Sequence, residues 1–172
     1  MYRKTPANLT FTVLRTGMKP APKSPPYTSR EPFAAERIHA AAIYCSDGRY
    51  GDQIDEFLHR ALALPRYDRL AIPGGAACLA SHIAAQREAG ALDKQLRFLV
   101  QAHGLTRIVL IAHQECAFYQ HVRLRDVTLE EQQSRDLATA AARIRSMADG
   151  LHVDAFFARK AEGFVRFDAV AV

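Results

Sequence analysis

Nowhere do apolar residues run on for anything near the ~20 that a bilayer-spanning helix requires, so the expected architecture contains no membrane span. The N-terminus has no continuous apolar core followed by a small-residue cleavage site, so no secretory leader is expected and the cytoplasm is the default compartment. Cysteine is scarce. Cys45, Cys78 and Cys116 are odd in number and widely spread, which fits a disulfide framework poorly and leaves metal binding, catalysis or burial. The formal charge is +5, yet Lys and Arg are scattered rather than gathered in a basic run. The electrostatic footprint of a nucleic-acid binder is therefore missing, and the charge suits mild steering of small anions. No internal repeat is present.

The 172 residues suffice for one ordinary domain that buries a real core. Residues 1–32 carry Pro6, Pro20, Pro22, Pro25, Pro26 and Pro32, too many ring constraints for a regular helix or central strand. This segment reads as a Pro-rich arm whose short apolar piece, Leu9 to Leu14, is available to pack on the body or on a partner subunit. Residues 33–172 alternate compact apolar runs with helical patterns, the signature of βαβ units. The expected fold is α/β, a single domain with a mainly parallel central sheet flanked by helices. His39 to Tyr44 reads as the first strand, Asp52 to about Leu62 as a helix, and Leu70 to Ile72 as a short strand. Ala76 to about Ala89 reads as a helix stopped by Gly90, followed by a second helix from Leu92 to His103. Arg107 to Ala112, RIVLIA, is the clearest strand and the expected centre of the sheet. Thr128 with Glu131 resembles a capping box opening a helix to about Ala148. Val153 to Ala158 and Phe164 to Val170, around a Lys160–Gly163 turn, read as a terminal hairpin at the sheet edge.

In open α/β sheets ligands gather beyond the carboxyl ends of strands, and two polar clusters occupy such positions. Cys45-Ser46-Asp47-Gly48-Arg49 follows the first strand, and His113-Gln114-Glu115-Cys116 follows RIVLIA. Two thiolates and an imidazole are good zinc donors, and three protein ligands leave one coordination place open, as in catalytic rather than closed structural sites. An ionised Asp47 paired with Arg49 would accept a hydrogen bond from water on the metal and favour hydroxide near neutral pH. Blander readings exist for the same residues. Cys45 can be a small buried strand-end residue, Asp47-Gly48 a turn, and His113 with Cys116 a core pair. Cys78 and His82, four apart, form a rival metal pair lacking further ligands in sequence, and are read as a buried thiol and a polar-face histidine. His39, His59, His103, His121 and His152 are isolated and read as structural or solvated. Gly74 and Gly75 read either as a tight strand-to-helix connection or as part of a substrate-pocket loop.

CSDGR and HQEC, in this order and at strand ends, resemble the Cys-x-Asp-x-Arg and His-x-x-Cys motifs of the β-class carbonic anhydrases. The resemblance runs from about Ile38 to the C-terminus. It implies Cys45, His113 and Cys116 as ligands of one Zn²⁺. It also implies Asp47 and Arg49 as the catalytic dyad, the carboxylate accepting from metal-bound water or, in a closed resting form, taking the fourth metal position itself. The implied activity is reversible hydration of carbon dioxide to bicarbonate, in an assembly of at least a dimer. The same ligand motifs also occur in relatives acting on carbonyl sulfide or carbon disulfide, and a zinc-binding regulatory protein without fast catalysis is the remaining reading. The chain departs from the family pattern in three places, one being the Pro-rich arm, which offers little of the family's usual helical N-terminal region. Ile72-Pro73-Gly74-Gly75-Ala76 stands where Arg-Asn-Ala-Gly is usual, and Ala117 stands where a glycine usually follows the second cysteine.

Overall fold

The structure, a computed structural model, describes residues 24–80, 82, 86–120 and 127–172; side chains 86 and 87 are outside that description. The apolar piece Leu9 to Leu14 and His121 lie outside the described residues. The chain divides into residues 1–35 and 36–172. Within the first unit, residues 24–35 form neither helix nor strand and are exposed.

The second unit is built on a five-stranded sheet in the order β2-β1-β3-β4-β5. Its strands are β1 (Ala40–Tyr44), β2 (Asp68–Ala71), β3 (Arg107–His113), β4 (His152–Ala161) and β5 (Phe164–Ala169). The four strands β1 to β4 pair in parallel, and only β5 runs antiparallel, against β4. RIVLIA is thus the middle strand, as its unbroken apolar run requires of a strand covered on both faces. Along β1 and β3 successive side chains enter opposite layers. Ala41, Ile43, Ile108 and Leu110 pack with Leu92 and Leu96 of α2 (Gln86–Leu99) and with Leu137, Ala141 and Ile144 of α4 (Leu129–Arg145). Ala42, Tyr44, Val109 and Ile111 pack on the other side with Ile54 of α1 (Gly51–Glu56) and with Leu58 in the π turn Phe57–Ala61 that prolongs it. The result is a sheet between two helical layers.

Local chemistry explains most of the boundaries. Thr128 Oγ1 accepts from the Glu131 amide at 3.2 Å while Glu131 Oε2 accepts from the Thr128 amide at 2.8 Å, so α4 opens on a complete capping box. β4 and β5 join through Glu162 and Gly163, both at positive φ (48° and 86°), the backbone that two-residue hairpins favour. One boundary differs from expectation. Gly90 does not stop a helix but lies inside α2, and a short 3₁₀ turn, Gly75–Leu79, occupies the start of the expected earlier helix. Gly90 keeps ordinary helical φ with no atom within 4 Å of where a Cβ would sit, so nothing there forces a break. Among the described residues, no helix is long and apolar enough to cross a membrane.

Candidate metal centre

β1 and β3 are neighbours, with Tyr44 level with Ile111, so the residues that follow them emerge side by side at the same rim of the sheet. Cys45 follows β1, His113 ends β3, and Cys116 closes the next loop just before the short helix α3 (Ala117–Gln120). Parallel pairing of two strands distant in sequence is what brings the clusters together. One donor atom from each of Cys45, His113 and Cys116 lies within 4.8 Å of the others. The two sulfurs are 3.7 Å apart.

The imidazole is prepared for a ligand. His113 is 2 % exposed, and its Nδ1 lies 2.9 Å from the Gln114 carbonyl oxygen. A carbonyl only accepts, so in the neutral ring Nδ1 carries the proton and Nε2 presents its lone pair. Nε2 is buried and has no hydrogen-bond partner. A buried acceptor left bare is costly unless something fills its place. A metal-ligating histidine typically anchors its other nitrogen on a carbonyl in just this way.

The sulfurs are a matched pair. Cys116 donates to Cys45, which holds the Cys45 thiol far below its ordinary range. The backbone amides of Gly74 and Asp47 act in the same direction, and burial opposes them. The same shared proton, with burial, pushes Cys116 up. The pair therefore binds one proton between two sulfurs, and a divalent cation displacing it would meet two thiolates. Soft sulfur with imidazole in a three-donor set fits zinc and leaves a fourth position for solvent or substrate.

Asp47 caps the 3₁₀ turn Gly48–Tyr50, accepting from the Arg49 amide at 3.1 Å. The Arg49 guanidinium clamps the same carboxylate, with Nε 2.9 and 3.1 Å from its two oxygens and Nη2 2.5 Å from Oδ2. That clamp holds the Asp47 carboxyl at about 2 and raises Arg49 in return. Asp47 is not among the clustered donors, so the carboxylate stands on the arginine rather than within the metal-binding group.

The Pro73-Gly74-Gly75 loop is part of the same assembly. Gly74 has φ +78°, and a Cβ there would meet the Phe118 ring at 2.6 Å. Gly75 has φ +54°, and its Cβ would lie 3.0 Å from the Cys45 nitrogen and the Tyr44 carbonyl carbon. The loop is bare because Gly74 abuts Phe118 and Gly75 abuts the end of β1, and the Gly74 amide reaches the Cys45 sulfur. Across the site, Lys160 pairs with Glu115, and Gln114 Oε1 accepts from the Lys160 amide at 3.1 Å, fixing the HQEC loop to β4.

The remaining candidates go elsewhere. Cys78 Sγ turns to the Pro73 carbonyl at 3.6 Å, and burial raises its thiol. His82 lies beyond the 3₁₀ turn and binds the buried Asp136 at 2.6 Å, so the two do not form a metal pair. His103 pairs with Asp68 and His152 with Asp154, while His39 faces the Gly104 carbonyl and His59 is exposed. Sequence reasoning missed Tyr50, which lies against His113, and the Gly74 amide. Tyr50 sits at helical spacing with Ile54 and Leu58, which marks it as buried but says nothing of its hydroxyl.

A family model described as "Putative carbonic anhydrase" matches residues 35–166. Among solved structures, the fold is similar to that of β-carbonic anhydrase isoform I (TvaCA1) from the protozoan Trichomonas vaginalis. The TM-score is 0.51 at 12 % identity, over 84 % of this chain and 90 % of that one. The β-carbonic anhydrase CafA of the fungal pathogen Aspergillus fumigatus also matches, with TM-score 0.46 at 15 % identity, over 80 % of this chain and 78 % of that one. No curated protein matches the chain.

Proposed function

This chain belongs to the carbonic anhydrase family whose model spans residues 35–166, and from that premise we propose that it holds one zinc ion and catalyses the reversible hydration of carbon dioxide to bicarbonate. Cys45, His113 and Cys116 are the residues that would hold the metal. The observation that carries this reading is their convergence within 4.8 Å around a buried imidazole nitrogen that has no other partner. Bound there, zinc supplies the Lewis acidity that makes water a nucleophile near neutral pH.

The chain's own groups do the rest. Two sulfur ligands cancel the formal charge of the ion, so the amides of Gly74 and Asp47 matter: by donating to Cys45 they draw charge away from the thiolate. Asp47 is ionised and held by Arg49, and it serves as the acceptor that orients the attacking water and takes its hydrogen bond. Arg49 spends its Nε and Nη2 on that carboxylate, so its role is to hold the acceptor in place.

The test is metal analysis with stopped-flow carbon dioxide hydration, on wild type and Cys45→Ser after reconstitution with zinc. One zinc per chain and measurable hydration are expected for wild type, and loss of both for the variant. A zinc-loaded wild type that hydrates no carbon dioxide at any pH overturns the enzymatic reading and points to another substrate or a regulatory metal. Failure to take up zinc overturns the site itself.

A further inference from the structure

The turn after Arg49 sets a buried tyrosine against the ring of His113. Tyr50 is 2 % exposed, and its ring centroid lies 4.4 Å from that of His113 with the planes inclined at 44°. Its hydroxyl donates to the Gln114 carbonyl oxygen at 3.1 Å. That oxygen is the one His113 Nδ1 engages at 2.9 Å. A carbonyl has two lone pairs, and here one serves the tyrosine and the other the imidazole. A phenol is protonated at neutral pH, so the hydroxyl has a hydrogen to donate.

The Gln114 carbonyl needs holding. The next residue, Glu115, sits at φ +58°, a left-handed backbone that a side-chain-bearing residue keeps only when its surroundings insist. The Gln114 amide donates to the Ala158 carbonyl at 2.9 Å and its side chain accepts from the Lys160 amide, so two contacts tie the residue to β4 but neither reaches its carbonyl. Tyr50 supplies a contact at the carbonyl itself, the oxygen that sets the histidine tautomer.

We infer that Tyr50 is a positioning residue for metal binding. It fixes the Gln114 carbonyl and the face of the His113 ring together, so that Nδ1 keeps the proton and Nε2 is held ready for the metal. The inference rests on the zinc reading above and adds to it a residue outside the ligand set. The residue that follows CSDGR is thereby tied to the HQEC loop by a direct contact, whether or not an ion is bound.

The test compares wild type with Tyr50→Phe, which keeps the ring and deletes only the hydroxyl. Zinc affinity is measured by competition with a chromophoric chelator, the ligand field by the visible spectrum of the cobalt(II) form, and the His113 tautomer by nitrogen-15 NMR of the metal-free protein. The expected results are zinc binding weakened about tenfold, an altered cobalt spectrum, and a single Nδ1–H tautomer in wild type that becomes a mixture in the variant. A general loss of stability would not change the tautomer of a folded chain. Unchanged affinity and spectrum in Tyr50→Phe overturn the inference while leaving the zinc reading intact. A wild type that binds no zinc overturns that reading instead, and the tautomer then decides this one: Nε2–H, or a mixture, in wild type contradicts it.

Discussion

Asp47 shows how little of a residue's role lies in its own chemistry. A lone carboxylate at a surface turn titrates near 4, but this one is gripped by a guanidinium two residues on and titrates at about 2. Because the folded value is the lower, the ion pair contributes stability above the ordinary carboxyl range, and that contribution is lost as pH falls through about 2. Asp47 is therefore charged throughout the neutral range, and no limb of a rate profile between pH 5 and 8 belongs to it. Asp47→Asn keeps the size of the side chain but replaces a charged acceptor with a neutral amide. It is expected to slow carbon dioxide hydration about 10- to 100-fold with zinc content unchanged. Equal rates for the two proteins would remove Asp47 from the reaction. CSDGR displays Asp47 and Arg49 in its spelling, and their spacing is enough to suggest the pair. Tyr50, one position further on, carries no such mark, because its partner is a main-chain carbonyl 64 residues away.

The glycine loop after β2 and the glycine of α2 separate what a residue type says from what a position needs. Gly75 has positive φ and its missing Cβ faces backbone, not a flexible side-chain end. Gly90 has open space and helical φ. Opposite signs follow for the same substitution. Gly75→Ala is expected to lose about 1–3 kcal/mol in urea unfolding, because strain and contact add, and to weaken zinc binding by pushing the loop off Cys45. Gly90→Ala is expected to gain about 0.5–1 kcal/mol, the helix-interior difference between the two residues. Equal effects at the two sites would mean that the loop does not press on β1. Elements governed by local chemistry were legible in advance: RIVLIA, the Thr128 capping box and the terminal hairpin each carry a short-range signal strong enough to survive tertiary context. The misreading of Gly90 came from treating glycine as punctuation where φ imposes no demand. The site was legible as two clusters, because strand ends of a parallel sheet are where such clusters meet. What was hidden was everything that acts by contact across the rim: the Gly74 amide on sulfur, and the Tyr50 hydroxyl at the carbonyl that sets the imidazole.

At the scale of the whole molecule, the sheet order does the assembling. Cys45 and Cys116 are 71 residues apart, and only the parallel pairing of β1 with β3 makes them neighbours. The central claim is that this pairing creates a site with two sulfurs and one imidazole for a single ion. X-ray absorption at the zinc edge of the reconstituted protein reads that donor set without reference to catalysis. The account predicts two sulfur scatterers per zinc at about 2.3 Å with lighter nitrogen or oxygen atoms at about 2.0–2.1 Å, falling to one sulfur in Cys116→Ser or Cys45→Ser and staying at two in Cys78→Ser. A zinc shell without sulfur, or one that loses sulfur in Cys78→Ser, would contradict it.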